Sequence, residues 1–426
     1  MITRPRRIPA LVHAGPDGRI YDDPAVEMAG MNGRDVVPID PDELIPLPEG
    51  SDLLTLPDRQ PIGFPRHGRG RGPRTFGDRQ AVAAFLAPAY TRFLNPAMAA
   101  APGASLLPLY AYTAVGWQDG RFWIPATRVD PDPRQDPERF DLAELPRRVA
   151  AALRSAPRDN RLIVHLGDCA LVRRCPAARN YFLQRWEAPL PTSPACNARC
   201  LGCISEQPGG RTQTFGRIAF RPEPRELVEV AVPHLERAPR PVVSFGQGCE
   251  GEPLLVADLL EQAIRLFRQR TGRGVINLNT NGSRPAEVAR LCAAGLEAIR
   301  VSLPAVLPQL FAAYTQPAGF GRAEVLDSLR AAREGGARTS INYFVFPGVS
   351  DRQAEAEALF DLCASGLVDL IQLRNLNVDP DLYLDALGPL DAFGCASGVS
   401  RLIGQLRARF PRLKLGYFNP WFERPR

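Results

Sequence analysis

The chain has one lysine, Lys414, and only four histidines, four methionines and four tryptophans among its 426 residues. Nearly every cation is therefore arginine. Arginine grips oxyanions more firmly than lysine, but a GC-rich coding sequence is the favoured account of the bias. No stretch approaches the ~18 consecutive apolar residues of a membrane span, so no spanning helix is expected. Near the start, the apolar run 8–12 is broken by His13, Gly15 and Pro16. That is too short for a secretory signal, and a cytoplasmic location is expected. Strong charge of one sign is also lacking, with a net charge of +6. The one basic run, 66–74, lies among prolines and glycines without interleaved aromatics. It reads as a solvated linker, which argues against a nucleic-acid partner.

What is present is the composition of a globular protein: 45% hydrophobic and 23% charged residues. The length suits two or three domains of about 150 residues each. Twelve of the 43 prolines fall in the first 75 residues, and 1–78 reads as an irregular Pro/Gly/Arg-rich segment. A small mixed α/β domain is expected over 79–185. It would hold a helix at 80–94, a hairpin of 110–117 with 121–129 across Asp119-Gly120, a helix from a capping box at Asp141–Glu144 to about 156, and a strand at 161–166. From 186 to 426 short apolar strands alternate with amphipathic helices. The strands are 241–245, 275–279, 298–303, 339–346 and 369–373, with helices at 255–270, 285–294, 323–334 and 354–364. This texture implies a parallel sheet covered by helices, a partial (β/α)6 TIM-like barrel behind an N-terminal mixed α/β domain. Chemistry in such folds sits at the carboxyl ends of the strands.

Nine cysteines without an export signal point to a reducing compartment, where close thiols mean metal or redox chemistry. Cys196, Cys200 and Cys203 fall within eight residues. Three thiols can converge on one metal centre, whereas a structural zinc or a fully ligated cubane wants four. A three-ligand site leaves one coordination position for a substrate or cofactor.

This CxxxCxxC loop resembles that of the radical S-adenosylmethionine (SAM) superfamily. The resemblance implies a [4Fe-4S] cluster on Cys196, Cys200 and Cys203, with SAM chelating the fourth iron. Reductive cleavage of the sulfonium would then abstract hydrogen from a substrate, with the electron coming from a donor such as flavodoxin or ferredoxin. The position before the third cysteine, usually aromatic in the family, is Gly202 here. Further matches follow in order. The segment Gly246-Gln-Gly-Cys-Glu-Gly251-Glu252-Pro253 after a strand is similar to the family's Gly-Gly-Glu-Pro motif, where a carboxylate meets the SAM ammonium. Either Glu250 or Glu252 fits that contact. Thr280-Asn281-Gly282 ends the next strand, and Ser302 ends the one after. Implied SAM contacts are Gly251, Glu252, Pro253, Thr280, Asn281 and Ser302.

Cys249 would lie within reach of the radical if that segment holds SAM, and is a candidate catalytic thiol; the plain alternative is a packed small residue. Arg374, Asn375 and Asn377 follow the last recognisable strand and are candidate substrate contacts, the arginine suggesting an anionic group. The tail 414–421 is aromatic and would lay a strand across the barrel mouth. Cys169 and Cys175 are too few for an auxiliary cluster. Two competing readings stand. The loop thiols, with Cys175, Cys169 or His165 as fourth ligand, would make a zinc-stabilised binding module, or the chain binds the cluster without catalysis. The substrate, a small molecule or a peptide, is not encoded in any recognisable module.

Overall fold

The computed structural model describes residues 5, 7–67, 72–157, 159–207 and 216–423, and holds two sheets. The first is antiparallel. Its strands are β1 (Ala10–Ala14), β2 (Ile20–Asn32), β3 (Asp35–Pro38), β4 (Leu44–Pro46), β5 (Asp52–Leu56), β6 (Arg59–Pro65) and β7 (Arg74–Thr75). They continue with β8 (Gln80–Phe85), β9 (Tyr90–Arg92), β10 (Asn95–Pro96), β11 (Met98–Ala100), β12 (Tyr112–Thr113), β13 (Gly116–Gln118) and β14 (Arg121–Arg128).

Several expectations for this half are corrected. The described residues of 1–78 are not irregular. Their prolines close strands, with Pro38, Pro46 and Pro65 standing last in β3, β4 and β6, where a missing N–H costs no ladder bond. The helix expected at 80–94 is β8 and β9. Ala81, Ala83 and Ala84 are buried because β8 pairs with β1, β5 and β12 inside the sheet, and packing between layers overrides alanine's helix preference. The same pairings cross the boundary expected at 78–79, so the N-terminal unit is all-β. The hairpin across Asp119-Gly120 is present, with Gln118 opposite Arg121 and Gly120 at φ 76. Of the basic run 66–74, residues 68–71 lie outside the described residues.

Three helices follow: α1 (Leu145–Ser155), α2 (Arg161–Leu171) and α3 (Pro176–Phe182). The strand expected at 161–166 is thus the first half of α2. Asn160 Oδ1 accepts from Ile163 N at 3.0 Å and starts the helix; Leu162, Leu166 and Ala170 then recur at helical spacing and are buried. These helices share one core with the second sheet, in which Val149, Leu166 and Phe182 join Leu190 and Val243.

The second sheet is parallel throughout and runs in chain order: β15 (Glu187–Leu190), β16 (Val242–Phe245), β17 (Val275–Thr280), β18 (Ala298–Ser302), β19 (Arg338–Val345), β20 (Leu370–Asn375) and β21 (Lys414–Gly416). Between strands lie α4 (Pro224–Arg237), α5 (Ala257–Arg270), α6 (Pro285–Ala294), α7 (Pro308–Thr315), α8 (Arg322–Glu334), α9 (Gln353–Ala364), α10 (Pro380–Leu387) and α11 (Val399–Arg409). The tail does not lie across a mouth. It adds a seventh strand beside β20, with Leu370 opposite Lys414. Beyond it, Asn419 Nδ2 donates to Glu187 Oε1 on β15 at 2.8 Å, and Gln372 Nε2 on β20 donates to Asn419 Oδ1 at 3.1 Å. The first and sixth strands therefore share one side chain, and the sheet is strongly curved. No helix among the described residues is long and apolar enough to cross a membrane.

Two further features position the strand ends. Tyr343 OH donates to Glu355 Oε1 on α9 at 2.9 Å, so Tyr343 faces the helices, and alternation turns Asn342 and Phe344 to the other side. Glu355 also accepts from Val306 N and Leu307 N. Burial pushes its carboxyl up to about 7. A raised pKa in the fold means stability that is full below the ordinary carboxyl value and lost as pH rises through about 7. Wild type should therefore lose on the order of 1–3 kcal/mol relative to Glu355→Gln between pH 4.5 and 7.5, read from urea midpoints.

The antiparallel sheet docks on the carboxyl ends of β19 and β20. Thr91 Oγ1 donates to Leu373 O at 3.0 Å, Arg92 Nη2 to Leu376 O at 3.1 Å, and Arg59 Nη2 to Asp379 Oδ2 at 3.0 Å. Gly33 N donates to Pro347 O at 2.9 Å. At that point Gly33 and Gly348 both take positive φ, and a Cβ on Gly348 would lie 1.9 Å from Gly33 N, so both layers need glycine there.

Candidate active site at the strand ends

The loop bearing Cys196, Cys200 and Cys203 leaves the carboxyl end of β15. Its backbone is held by the segment that ends α7: Leu201 N donates to Tyr314 O, Arg199 N to Thr315 O, and Ala318 N to Asn197 O. All three thiols are half-buried and free. They lie close enough for their charges to interact: burial, then Cys203 and Cys196, raises the Cys200 thiol, and burial pushes Cys196 up to about 11. Thiols held this way need a positive partner to ionise. Arg217, which sequence reasoning missed, offers one, with its Nη2 3.8 Å from Cys203 Sγ. Nothing in the spacing could have flagged it, fourteen residues downstream.

The second loop, after β16, is pressed backbone to backbone on the first. Gly251 N donates to Ser193 O at 2.7 Å and Glu252 N to Ala195 O at 2.8 Å. A Cβ on Gly251 would stand 2.0 Å from Ala195 O and 3.0 Å from Cys196 N. We expect Gly251→Ala to displace the cysteine loop, reducing bound iron to less than half the wild-type content while circular dichroism stays unchanged.

The two glutamates of this loop divide their work. Glu250 accepts from Thr192 N, Thr192 Oγ1, Ser193 N and Gln247 N, which uses all of a carboxylate's roughly four acceptor positions. Glu252 accepts from Leu254 N, from Thr280 Oγ1, and from Asn281 N at 2.7 Å. That leaves Glu252 one acceptor position, and burial pushes its carboxyl up to about 7. Of the pair, Glu252 is the one that can take a further donor. Pro253 opens the short 3-10 turn Pro253–Val256 that Glu252 caps.

Glu252 thus brings together three strand ends. Asn281 completes the lock, its Nδ2 donating to Asn197 Oδ1 at 2.7 Å inside the cysteine loop. Asn197, also missed, was hidden because its function depends on a partner 84 residues away. Ser302 ends β18 opposite Asn342 on β19. The Oδ1 of Asn342 is buried without a hydrogen-bond partner among the described residues, an acceptor that a ligand could satisfy. Gly202 has a steric reason: a Cβ there would lie 2.6 Å from Asn377 O and 2.9 Å from the Tyr314 hydroxyl. Tyr314 and the chain at Asn377 therefore fill the space around that position, and Asn377 sits against the cysteine loop.

Two candidates land elsewhere. Cys249 turns its Sγ away to α2, 3.4 Å from His165 Nε2, because the core on that side is where the loop packs. Asn375 spends both ends of its amide on β9, accepting from Arg92 N and donating to Tyr90 O, each at 2.9 Å; it joins the sheets. Arg374 shares the inward side of β20 with Gln372, which accepts from Arg300 Nη1 at 2.8 Å. Arg374 donates to Tyr417 O at 2.8 Å and lies 4.1 Å over the Tyr417 ring. Burial and the Arg374 charge lower Arg300 to about 9. The curve of the sheet thus holds two guanidiniums close together.

Residues 190–360 match the Radical SAM superfamily profile. The chain is 30% identical over 217 residues to GTP 3′,8-cyclase of Streptomyces coelicolor, covering 50% of this chain and 58% of that protein. It is 31% identical over 198 residues to GTP 3′,8-cyclase 2 of Pseudomonas aeruginosa, covering 45% and 53%. It thus spans little more than half of either relative. Among solved structures, methylornithine synthase (PylB) aligns with 63% of this chain and 73% of its own at 13% identity and a TM-score of 0.39. The superfamily's cofactors are a [4Fe-4S] cluster and SAM. Residues 190–360 of this chain are thus similar to the radical SAM superfamily.

Proposed function

We propose that the chain is a radical SAM enzyme whose parallel sheet is a partial (β/α) barrel, with Cys196, Cys200 and Cys203 holding a [4Fe-4S] cluster. The observation that carries this reading is the interlock of three successive strand ends, in which Gly251 backs the cysteine loop and Glu252 and Asn281 tie it to β17. The thiol set suits a cluster better than one ion. A tetrahedral zinc needs sulfurs about 3.8 Å apart, whereas these three are not among the side chains that converge within 4.8 Å. When bound, the cluster and SAM would supply a one-electron cleavage that yields a carbon radical.

The chain's own residues would bind and orient. Glu252, with its one spare acceptor position, would receive the SAM ammonium as a charge-assisted hydrogen bond. Thr280 and Asn281 fix that carboxylate, and Ser302 with the unpartnered Asn342 Oδ1 lies one strand further on, where a ribose or carboxylate would reach. Arg217 would set a positive charge beside Cys203. Arg374, beside Arg300, favours a substrate with an anionic group, and Asn377 sits against the cysteine loop. The electron would come from a separate donor such as flavodoxin or ferredoxin. Cyclisation of GTP is the activity named for the two relatives; here it is one candidate among reactions on anionic substrates.

The test is release of 5′-deoxyadenosine from SAM by anaerobically reconstituted protein with dithionite. Steady release supports the reading. A fully iron-loaded protein that releases none overturns the catalytic claim.

A further inference from the structure

A second convergence of ligands lies apart from the cysteine loop. His165 and Cys169 stand one turn apart on α2, where residues i and i+4 share a face, and Cys249 meets them from the loop after β16. His165 Nε2 is 3.4 Å from Cys249 Sγ and 3.5 Å from Cys169 Sγ. All three ligand atoms fall within 4.8 Å of one another, a group of His, Cys, Asp or Glu unmatched elsewhere among the described residues.

The spacing is that of a single tetrahedral ion. Zinc–sulfur bonds of about 2.3 Å and zinc–nitrogen bonds of about 2.0–2.1 Å place nitrogen and sulfur about 3.6 Å apart at a tetrahedral angle. The two observed separations fall just inside that value. The ligand set is also right for the ion: two thiols and an imidazole are soft to borderline donors, and two thiolates would balance a divalent charge.

The plain reading, a packed histidine between two core cysteines, leaves Nε2 poorly served. Its partners here are thiols, which are weak donors and weak acceptors, although buried nitrogens ordinarily find oxygen. Cys169 and Cys249 are themselves buried, at 2% and 5% exposure. His165 borders a surface cavity of about 370 Å³ shared with Asn160, Val164 and Phe220, and this gives an ion a way in.

We propose that His165, Cys169 and Cys249 bind one divalent ion of the zinc class. The ion would brace α2 against the loop that carries Glu250, Gly251 and Glu252, directly behind the cysteine loop. The site shares no ligand with that loop, so its failure would leave the proposed function standing.

The test uses the full chain with Cys196→Ala, Cys200→Ala and Cys203→Ala, purified without oxygen and kept reduced, so that loop-bound iron does not contribute. Titration with Co²⁺ should saturate at one equivalent, with the intense red-region absorption of tetrahedral cobalt–thiolate, and Zn²⁺ should displace it. Adding Cys169→Ser or Cys249→Ser should abolish those bands, and adding His165→Ala should weaken cobalt binding at least about tenfold. A second measurement does not depend on that variant folding. Wild-type protein as purified should contain one zinc beside its iron, and Cys249→Ser should lose the zinc while iron stays constant. Absence of zinc in the wild type, cobalt bands that survive Cys249→Ser, or a Cys169–Cys249 disulfide found by mass in reduced protein would each overturn the proposal.

Discussion

Cys200→Ala is expected to remove the broad visible absorption of the reconstituted protein and to reduce 5′-deoxyadenosine release to the level of protein-free controls. Each of three thiols would hold a different corner of the cluster, so losing one leaves an iron without a protein ligand, and no other cysteine is positioned to replace it. Cys249, although part of the second loop, is turned to α2. Cys395 is exposed and far from the loop in sequence, so Cys395→Ala should behave as wild type in both assays. Iron and sulfide analysis gives the same result without relying on turnover. If Cys200→Ala keeps its cluster and its activity, the ligand assignment is wrong.

The second large effect is expected at Asp379. Its carboxylate accepts from Arg59 Nη2 on β6 and Leu107 N in the loop between β11 and β12, and from Asp381 N and Leu382 N at the start of α10. Side-chain exposures of 3% for Arg59 and 1% for Asp379 make this a buried pair. Removing one partner of such a pair costs about 3–5 kcal/mol, because the other charge is left without compensation in a low dielectric. Asp379→Ala should lower the urea midpoint accordingly, and Arg59→Met/Asp379→Leu should recover much of the loss. A cost under ~1 kcal/mol would mean that water already reaches the pair.

The sequence carried the second sheet well and the first poorly, for a physical reason. Strands such as Val242–Phe245 and Val275–Thr280 are buried on both faces, so they appear as short apolar runs between helices whose periodicity is unmistakable. Strands such as β10 and β12 are two residues long, below any period that a sequence can display, and their partners β2 and β8 lie far along the chain. Among site residues, the cysteine spacing and the Glu252–Thr280–Asn281 set were legible because they are local motifs at strand ends. The directions of Cys249 and Asn375 were not legible, since both depend on which neighbour packs on that side. Arg217, Tyr314 and Asn342 gave no local signal at all, since each gains its role from a contact made only after folding.

The mating of Gly33 with Gly348, together with the buried Arg59–Asp379 pair, bears on how the chain can be handled. Cutting away the first 130 residues would not liberate a self-contained second half. It would strip the cover from Leu376 and Phe346 and take from Asp379 its buried partner Arg59. Expression trials of the shortened chain should therefore yield insoluble material, and homologues recombined at that junction would need both contact surfaces exchanged together.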